Sequence, residues 1–188
     1  VLQLIGKAEL LCNLFYLWHN PYRVVKKFLQ KKGVEDVHQY GETPLETIIS
    51  IGRALNLKKN DHVFELGSGR GLAAFYLKIF FGCRVTAIEQ IPLFVKKARQ
   101  INKLLKLDIE FRCEDFCESD FSNATAIYLF GTCLSDEIIE KICKKIRAKQ
   151  KVVSISYPLS DYDPDFHLLK MFEVEYPWGK TEAYLNEK

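Results

Sequence analysis

From residue 61 onward, apolar residues fall into short β-rich runs at 62–66, 84–89, 109–113, 126–130 and 151–156. Longer stretches with helical spacing separate them at 71–81, 91–106 and 135–148. Strands that alternate with helices in this way predict a parallel sheet covered on both faces. Pro92 suits the first turn of the second helix, and Ser135-Asp136-Glu137 gives the third an acid-rich start. After Ser156 the rhythm breaks. Residues 166–176 and 181–186 read as two strands joined through Pro177-Trp178-Gly179, with no room for a crossover helix, so they should pair antiparallel.

Ahead of the alternating region lie two helical segments, 2–17 and 21–32. Asn20 is placed to cap the second, Pro21 to open it and Gly33 to end it. Thr43 and Glu46 have the spacing of a capping box, with Pro44 at the first helical position. Ile48, Ile49, Ile51, Leu55 and Leu57 then carry helical spacing to about Asn56. The expected fold is α/β: a Rossmann-like three-layer sandwich with a mostly parallel seven-stranded sheet, an antiparallel C-terminal strand and extra N-terminal helices. The expected division is a helical extension over 1–39 and one domain over 40–188.

Composition narrows this further. The 188 residues suit a single domain, and 48% hydrophobic with 27% charged residues is ordinary for a chain with a real core. A net charge of +3 carries no strong nucleic-acid signature; Arg23, Lys26, Lys27, Lys31 and Lys32 read as a solvated helix face. The six cysteines, at 12, 83, 113, 117, 133 and 143, include no CxxC pair. They suit neither a disulfide framework nor a metal site, and are expected to be reduced and mostly buried in a cytoplasmic protein. Residues 1–18 are apolar, but Lys7 and Glu9 interrupt them, so neither a membrane span nor a signal peptide is expected. Without a leading Met, one or more start residues are expected to have been removed.

The chemistry concentrates in Glu65-Leu66-Gly67-Ser68-Gly69-Arg70-Gly71, which follows one predicted strand and opens a helix. Glycines there let the chain turn sharply and bare its N–H groups to a ligand. Dinucleotide folds need G-x-G-x-x-G, with pyrophosphate at the helix N-terminus. Here the third glycine comes one residue early, position 72 is Leu, and the leading Glu65 suits a cationic ligand better than pyrophosphate. Glu89 ends the second strand, where a carboxylate can accept both hydroxyls of a ribose. Asp115, past the third, could accept an adenine amino group, with the Phe116 backbone at the ring edge.

On these features, residues 40–133 resemble a class I (seven-strand) S-adenosylmethionine (SAM)-dependent methyltransferase. The resemblance implies SAM as cofactor. It implies a methionine part wrapped by the glycine loop, ribose on Glu89 and adenine at Asp115. The segment Tyr40-Gly41-Glu42-Thr43-Pro44 is similar to one in non-SET protein-lysine methyltransferases that closes over the cofactor. Nearly the whole chain also looks like bacterial methyltransferase-domain proteins of unassigned substrate, sharing Asn20-Pro21-Tyr22-Arg23 and Glu89-Gln90-Ile91-Pro92. The cofactor residues so implied are Tyr40, Glu42, Thr43, Glu65, Gly67, Ser68, Gly69, Gly71, Glu89, Gln90, Asp115, Phe116 and Phe130; no metal ligand and no catalytic residue is assigned.

The acceptor should be read at Tyr128-Leu129-Phe130-Gly131-Thr132-Cys133, which lacks the Asn/Asp-Pro-Pro-Tyr of amino-methylating enzymes and the Asn-rich stretch of the histone-lysine enzymes. Cys133 is expected to be a buried thiol rather than a nucleophile. Tyr40, Phe116, Tyr128, Phe130 and Trp178 are candidates for an aromatic wall that would desolvate an acceptor amine. A protein lysine, a small molecule and RNA remain open as acceptors, as does a silent SAM-binding protein. A nicotinamide oxidoreductase is disfavoured by the glycine spacing and the antiparallel finish.

Overall fold

The computed structural model describes residues 1–34 and 40–188. The β-rich runs form β1 (His62–Leu66), β2 (Arg84–Glu89), β3 (Glu110–Cys113), β4 (Ala126–Leu129) and β5 (Lys151–Ile155). All five are parallel. Helices α4 (Leu72–Phe81), α5 (Pro92–Leu105) and α6 (Asp136–Lys145) link β1 to β2, β2 to β3 and β4 to β5, while residues 114–125 link β3 to β4 without a helix. The chain opens with α1 (Leu2–Phe15), α2 (Pro21–Lys31) and α3 (Leu45–Ala54), and closes with the hairpin β6 (His167–Tyr176) and β7 (Gly179–Glu187).

The sheet order is β3-β2-β1-β4-β5-β7-β6, with β7 antiparallel to both of its neighbours. β1 lies between β2 and β4 with all five residues buried, which is why it reads as a run rather than an alternation. Its side chains still alternate between two cores. Val63 joins α1, α3, α4 and α5 on one face, while Phe64 and Leu66 join Ile139 and Ile142 of α6 on the other. The strand order reverses at β1, and that switch point opens a crevice beyond its C-terminal end.

The N-terminal helices are part of this packing. Ile5, Ala8 and Cys12 of α1 enter the core beside α4 and α5. Lys97 of α5 donates from Nζ to the Phe15 carbonyl at 2.6 Å, putting a cation on the C-terminal end of α1. Asn20 caps α2 by accepting from the Arg23 amide at 3.2 Å. The expected boundary at residue 39 lies outside the described residues. No helix among the described residues is long and apolar enough to cross a membrane.

Three expectations are corrected. Thr43 does not cap α3, whose N-cap is Pro44; its hydroxyl shares a 2.7 Å hydrogen bond with Tyr128 instead. The last strand starts at Gly179 rather than 181, because Pro177-Trp178 alone make the turn and Gly179 accommodates φ 132°. The thiols are not mostly buried: Cys113 and Cys133 are exposed and Cys117 is half-buried. Cys113 ends the edge strand β3, and the other two lie in loops past strand ends.

Asn186 of β7 is fully buried among strands and bonds in four directions. Its Oδ1 accepts from the Leu159 amide, and its Nδ2 donates to Val152 O, Ser154 Oγ and Tyr184 O. Asn186→Leu strands several of these groups. The expected outcome in urea denaturation is a loss of about 2–3 kcal/mol.

Candidate functional site

The loop beyond β1 is held to β2. The amides of Gly67 and Ser68 both donate to Ile88 O at 2.9 Å. The Gly69 amide donates to Glu89 Oε2 at 2.9 Å, and the Ile91 amide donates to Glu89 Oε1 at 2.7 Å. Glu89 thus fixes the loop, and each of its oxygens keeps a further lone pair for a ligand. Gly67 and Gly71 adopt φ of 81° and 87°, which favours glycine at both. Gly71 does not face the groove. It is the N-cap of α4, and a Cβ there would stand 2.8 Å from the Phe111 ring, so its role is packing rather than ligand contact.

Over this loop lies the segment 40–43. Arg70, nearly buried, donates to both carboxylate oxygens of Glu42, the Nη2 bond measuring 2.6 Å. Tyr40 donates to Glu42 Oε1 at 2.6 Å and rests on Gly69, whose Cβ would stand 3.0 Å from the ring. The Arg70 guanidinium also lies over Tyr16 at 5.0 Å, tying the loop to the end of α1. Behind Gly41 runs an aromatic ladder: Phe130 and Tyr176 are 5.2 Å apart, and Tyr176 stacks on Trp178 at 4.8 Å. A Cβ at Gly41 would meet Trp178 at 2.7 Å, so glycine is what lets the segment pass.

Two adjoining hollows form one groove here. The first is lined by Tyr40, Gly41, Glu42, Thr43, Glu65, Gly67, Ser68, Gly69, Arg70 and Phe130. The second shares Tyr40, Gly67, Gly69 and Phe130 and adds Glu89, Gln90, Phe116 and, from α2, Val25, Phe28 and Leu29. The groove is acidic at one end and apolar at the other. At the acidic end, Glu65 Oε2 and Ser68 Oγ are buried with no hydrogen-bond partner.

Burial pushes Glu65 from an ordinary 4.5 up to about 8, helped by the Glu89 charge and opposed by the Ala74 amide. Burial likewise raises Glu89 to about 7, against the Ile91, Gly69 and Gln90 amides and the Lys32 charge. Polar groups left unsatisfied inside a protein are costly, and these two carboxyls and one hydroxyl converge on a single groove. They fit a cationic, hydroxyl-bearing ligand. Among the described residues, no group of three metal-ligating side chains occurs.

Most sequence-expected residues thus meet in one place: Tyr40, Glu42, Thr43, Glu65, Gly67, Ser68, Gly69, Glu89, Gln90, Phe116 and Phe130 all line the groove. Asp115 does not line it; it is exposed, with Oδ1 accepting from the Cys117 amide at 2.8 Å. Tyr128 is buried under Thr43 and bonds to Tyr176 at 3.0 Å, so it braces the wall without forming its surface. Sequence reasoning missed the contribution of α2. Its signal was present: Val25, Phe28 and Leu29 form an i, i+3, i+4 stripe on an otherwise basic helix.

No protein-family model matches the chain, and no curated protein matches it by sequence. Solved structures do. An RNA methyltransferase from Salinibacter ruber, in complex with S-adenosyl-L-homocysteine, is 25% identical with a TM-score of 0.64, covering 77% of this chain and 91% of its own. A variant of MtNAS in complex with S-adenosylmethionine is 14% identical with a TM-score of 0.67, over 98% of this chain and 72% of that one. The tRNA methyltransferase TrmK from B. subtilis is 17% identical with a TM-score of 0.62, over 79% and 66%. The chain has the class I, Rossmann-like methyltransferase fold.

Two outcomes follow. Gly71→Ala forces a side chain into a left-handed position against Phe111, and thermal unfolding should show a loss of about 2–3 kcal/mol. Glu65 and Glu89 hold protons in the folded state that the unfolded chain loses above pH 4.5. The stability they contribute is complete below that pH and is lost as pH rises toward 8. Urea midpoints should therefore fall from pH 5 to pH 8.5, and Glu65→Gln should flatten the fall.

Proposed function

We propose that the chain is a cytoplasmic SAM-dependent methyltransferase, with residues 40–188 as the transferase domain and α2 of the 1–39 extension walling its cofactor groove. The observation that carries this is the pair of unpartnered buried groups, Glu65 Oε2 and Ser68 Oγ, beneath a glycine loop at the sheet's switch point. When bound, SAM supplies a methyl group already activated on a sulfonium.

The residues of the chain bind and orient. Glu65 and Ser68 receive the methionine ammonium, and the bare backbone of 67–69 lies along the methionine part. Glu89 takes the ribose hydroxyls with the lone pairs that Gly69 and Ile91 leave free. Phe116 and Phe28 would offer apolar faces to the adenine; Asp115, outside the groove wall, would have to swing inward for its Oδ2 to accept from the amino group. Lys32 donates to Gln90 Oε1, holding that side chain where it would meet the ribose. Tyr40, Glu42 and Thr43 close the methionine side, and Glu42 is locked there by Arg70. An acceptor seated against Phe130 and Trp178 would be lined up behind the methyl with water excluded, which supplies most of the rate such a transfer needs.

Support for the acceptor's identity divides. Two of the similar structures are an RNA and a tRNA methyltransferase; the segment 40–44 favours a protein lysine. Incubation with methyl-labelled SAM and cell lysate, separated into protein, RNA and small-molecule fractions, distinguishes them. Label is expected in one macromolecular fraction and to vanish with Glu89→Ala, which should keep its overall fold by circular dichroism, with the 67–69 loop released, and bind SAM at least about 100-fold more weakly. SAM binding without labelling of any fraction would contradict turnover.

A further inference from the structure

The outward faces of the first two helices have no role in the groove. On α1 and the turn after it, Leu10, Leu14, Leu17 and Trp18 recur at helical spacing and are 58%, 48%, 70% and 90% exposed. Ile5, Ala8 and Cys12 fill the inner face of α1, while Leu10 and Leu14 stand on the outer face among the exposed Gln3, Lys7 and Asn13. A contiguous stripe of this kind is a contact surface more often than a chance of composition.

Its charge is one-sided. Residues 1–34 carry six cations, Lys7, Arg23, Lys26, Lys27, Lys31 and Lys32, against one carboxylate, Glu9. Glu9 is turned inward, accepting from the Tyr76 hydroxyl at 2.8 Å. The whole chain nets only +3, so the remainder is net acidic. Arg23, Lys26 and Lys27 are exposed on α2, which follows Trp18 in the chain; the 60%-exposed Tyr22 meets Tyr40 edge-on at 5.1 Å.

We infer that this face docks on an anionic bilayer surface. Aliphatic side chains, an interfacial Trp and Tyr, and neighbouring Lys and Arg form the combination that buries leucines at the acyl boundary while cations meet acidic headgroups. RNA would use the cations but gives three leucines no partner, and a second copy would set two cationic faces together. The inner side of α2, through Val25, Phe28 and Leu29, walls the groove. Docking therefore holds the groove about one helix diameter, roughly 10 Å, from the headgroups.

The test uses the full chain without SAM, so it is independent of the transferase reading. Vesicles of phosphatidylcholine with about one third phosphatidylglycerol should sediment the protein, whereas phosphatidylcholine alone should not, and salt should weaken the binding. In a Trp178→Phe background, Trp18 emission should shift to the blue on binding. Leu14→Ser with Leu17→Ser, and separately Lys26→Glu with Lys27→Glu, should each reduce partitioning about tenfold, all four sites being exposed. No sedimentation with the anionic vesicles, an unshifted Trp18, or retention of single-stranded RNA in place of vesicles would overturn the inference.

Discussion

Two carboxyl groups buried at neighbouring strand ends set the terms for the rest of the site. Glu65 lies within β1 and Glu89 ends β2, and burial makes ionisation of both unfavourable. Glu89 is made tolerable by backbone amides from the glycine loop and from the start of α5, so satisfying its charge is the same act as fixing the loop. Glu65 keeps one oxygen without a partner. Such a group is stable in place only because the strands around it are fully buried and paired on both sides.

The covering structure follows from that loop. Arg70, which the loop sets between Ser68-Gly69 and α4, pairs with Glu42 and stacks on Tyr16, fastening both the 40–43 segment and the end of α1 to the same point. The amphipathic α2 then lines the apolar end of the groove with one face and leaves the other exposed. The N-terminal helices thus take part in the site, and α1 also shares the central core.

What the sequence made legible was periodic or punctuated. The five parallel strands, the antiparallel finish and the Asn20 cap were readable because burial pattern, turn residues and capping residues agree there. The glycine loop and Glu89 were readable from spacing alone. Partner choice was less so. Thr43 has capping-box spacing, yet a buried Tyr128 hydroxyl from 85 residues away claims its oxygen. Gly71 looks like its neighbours in the loop but turns toward Phe111. Asp115 has the right position in sequence and lies outside the groove wall, its Oδ1 taken by a local turn. For Thr43 and Gly71 the outcome depends on a tertiary neighbour that local pattern does not encode; for Asp115 it is a competing local turn.

Glu65, raised by burial to about 8, stands protonated in the free protein near neutral pH and must ionise to receive a cationic ligand. Titration calorimetry with SAM at pH 7, in two buffers of different protonation enthalpy, measures this directly. Binding should release about one proton, and the release should be largely lost in Glu65→Gln. Binding with no proton release, or with the same release in the variant, would contradict it.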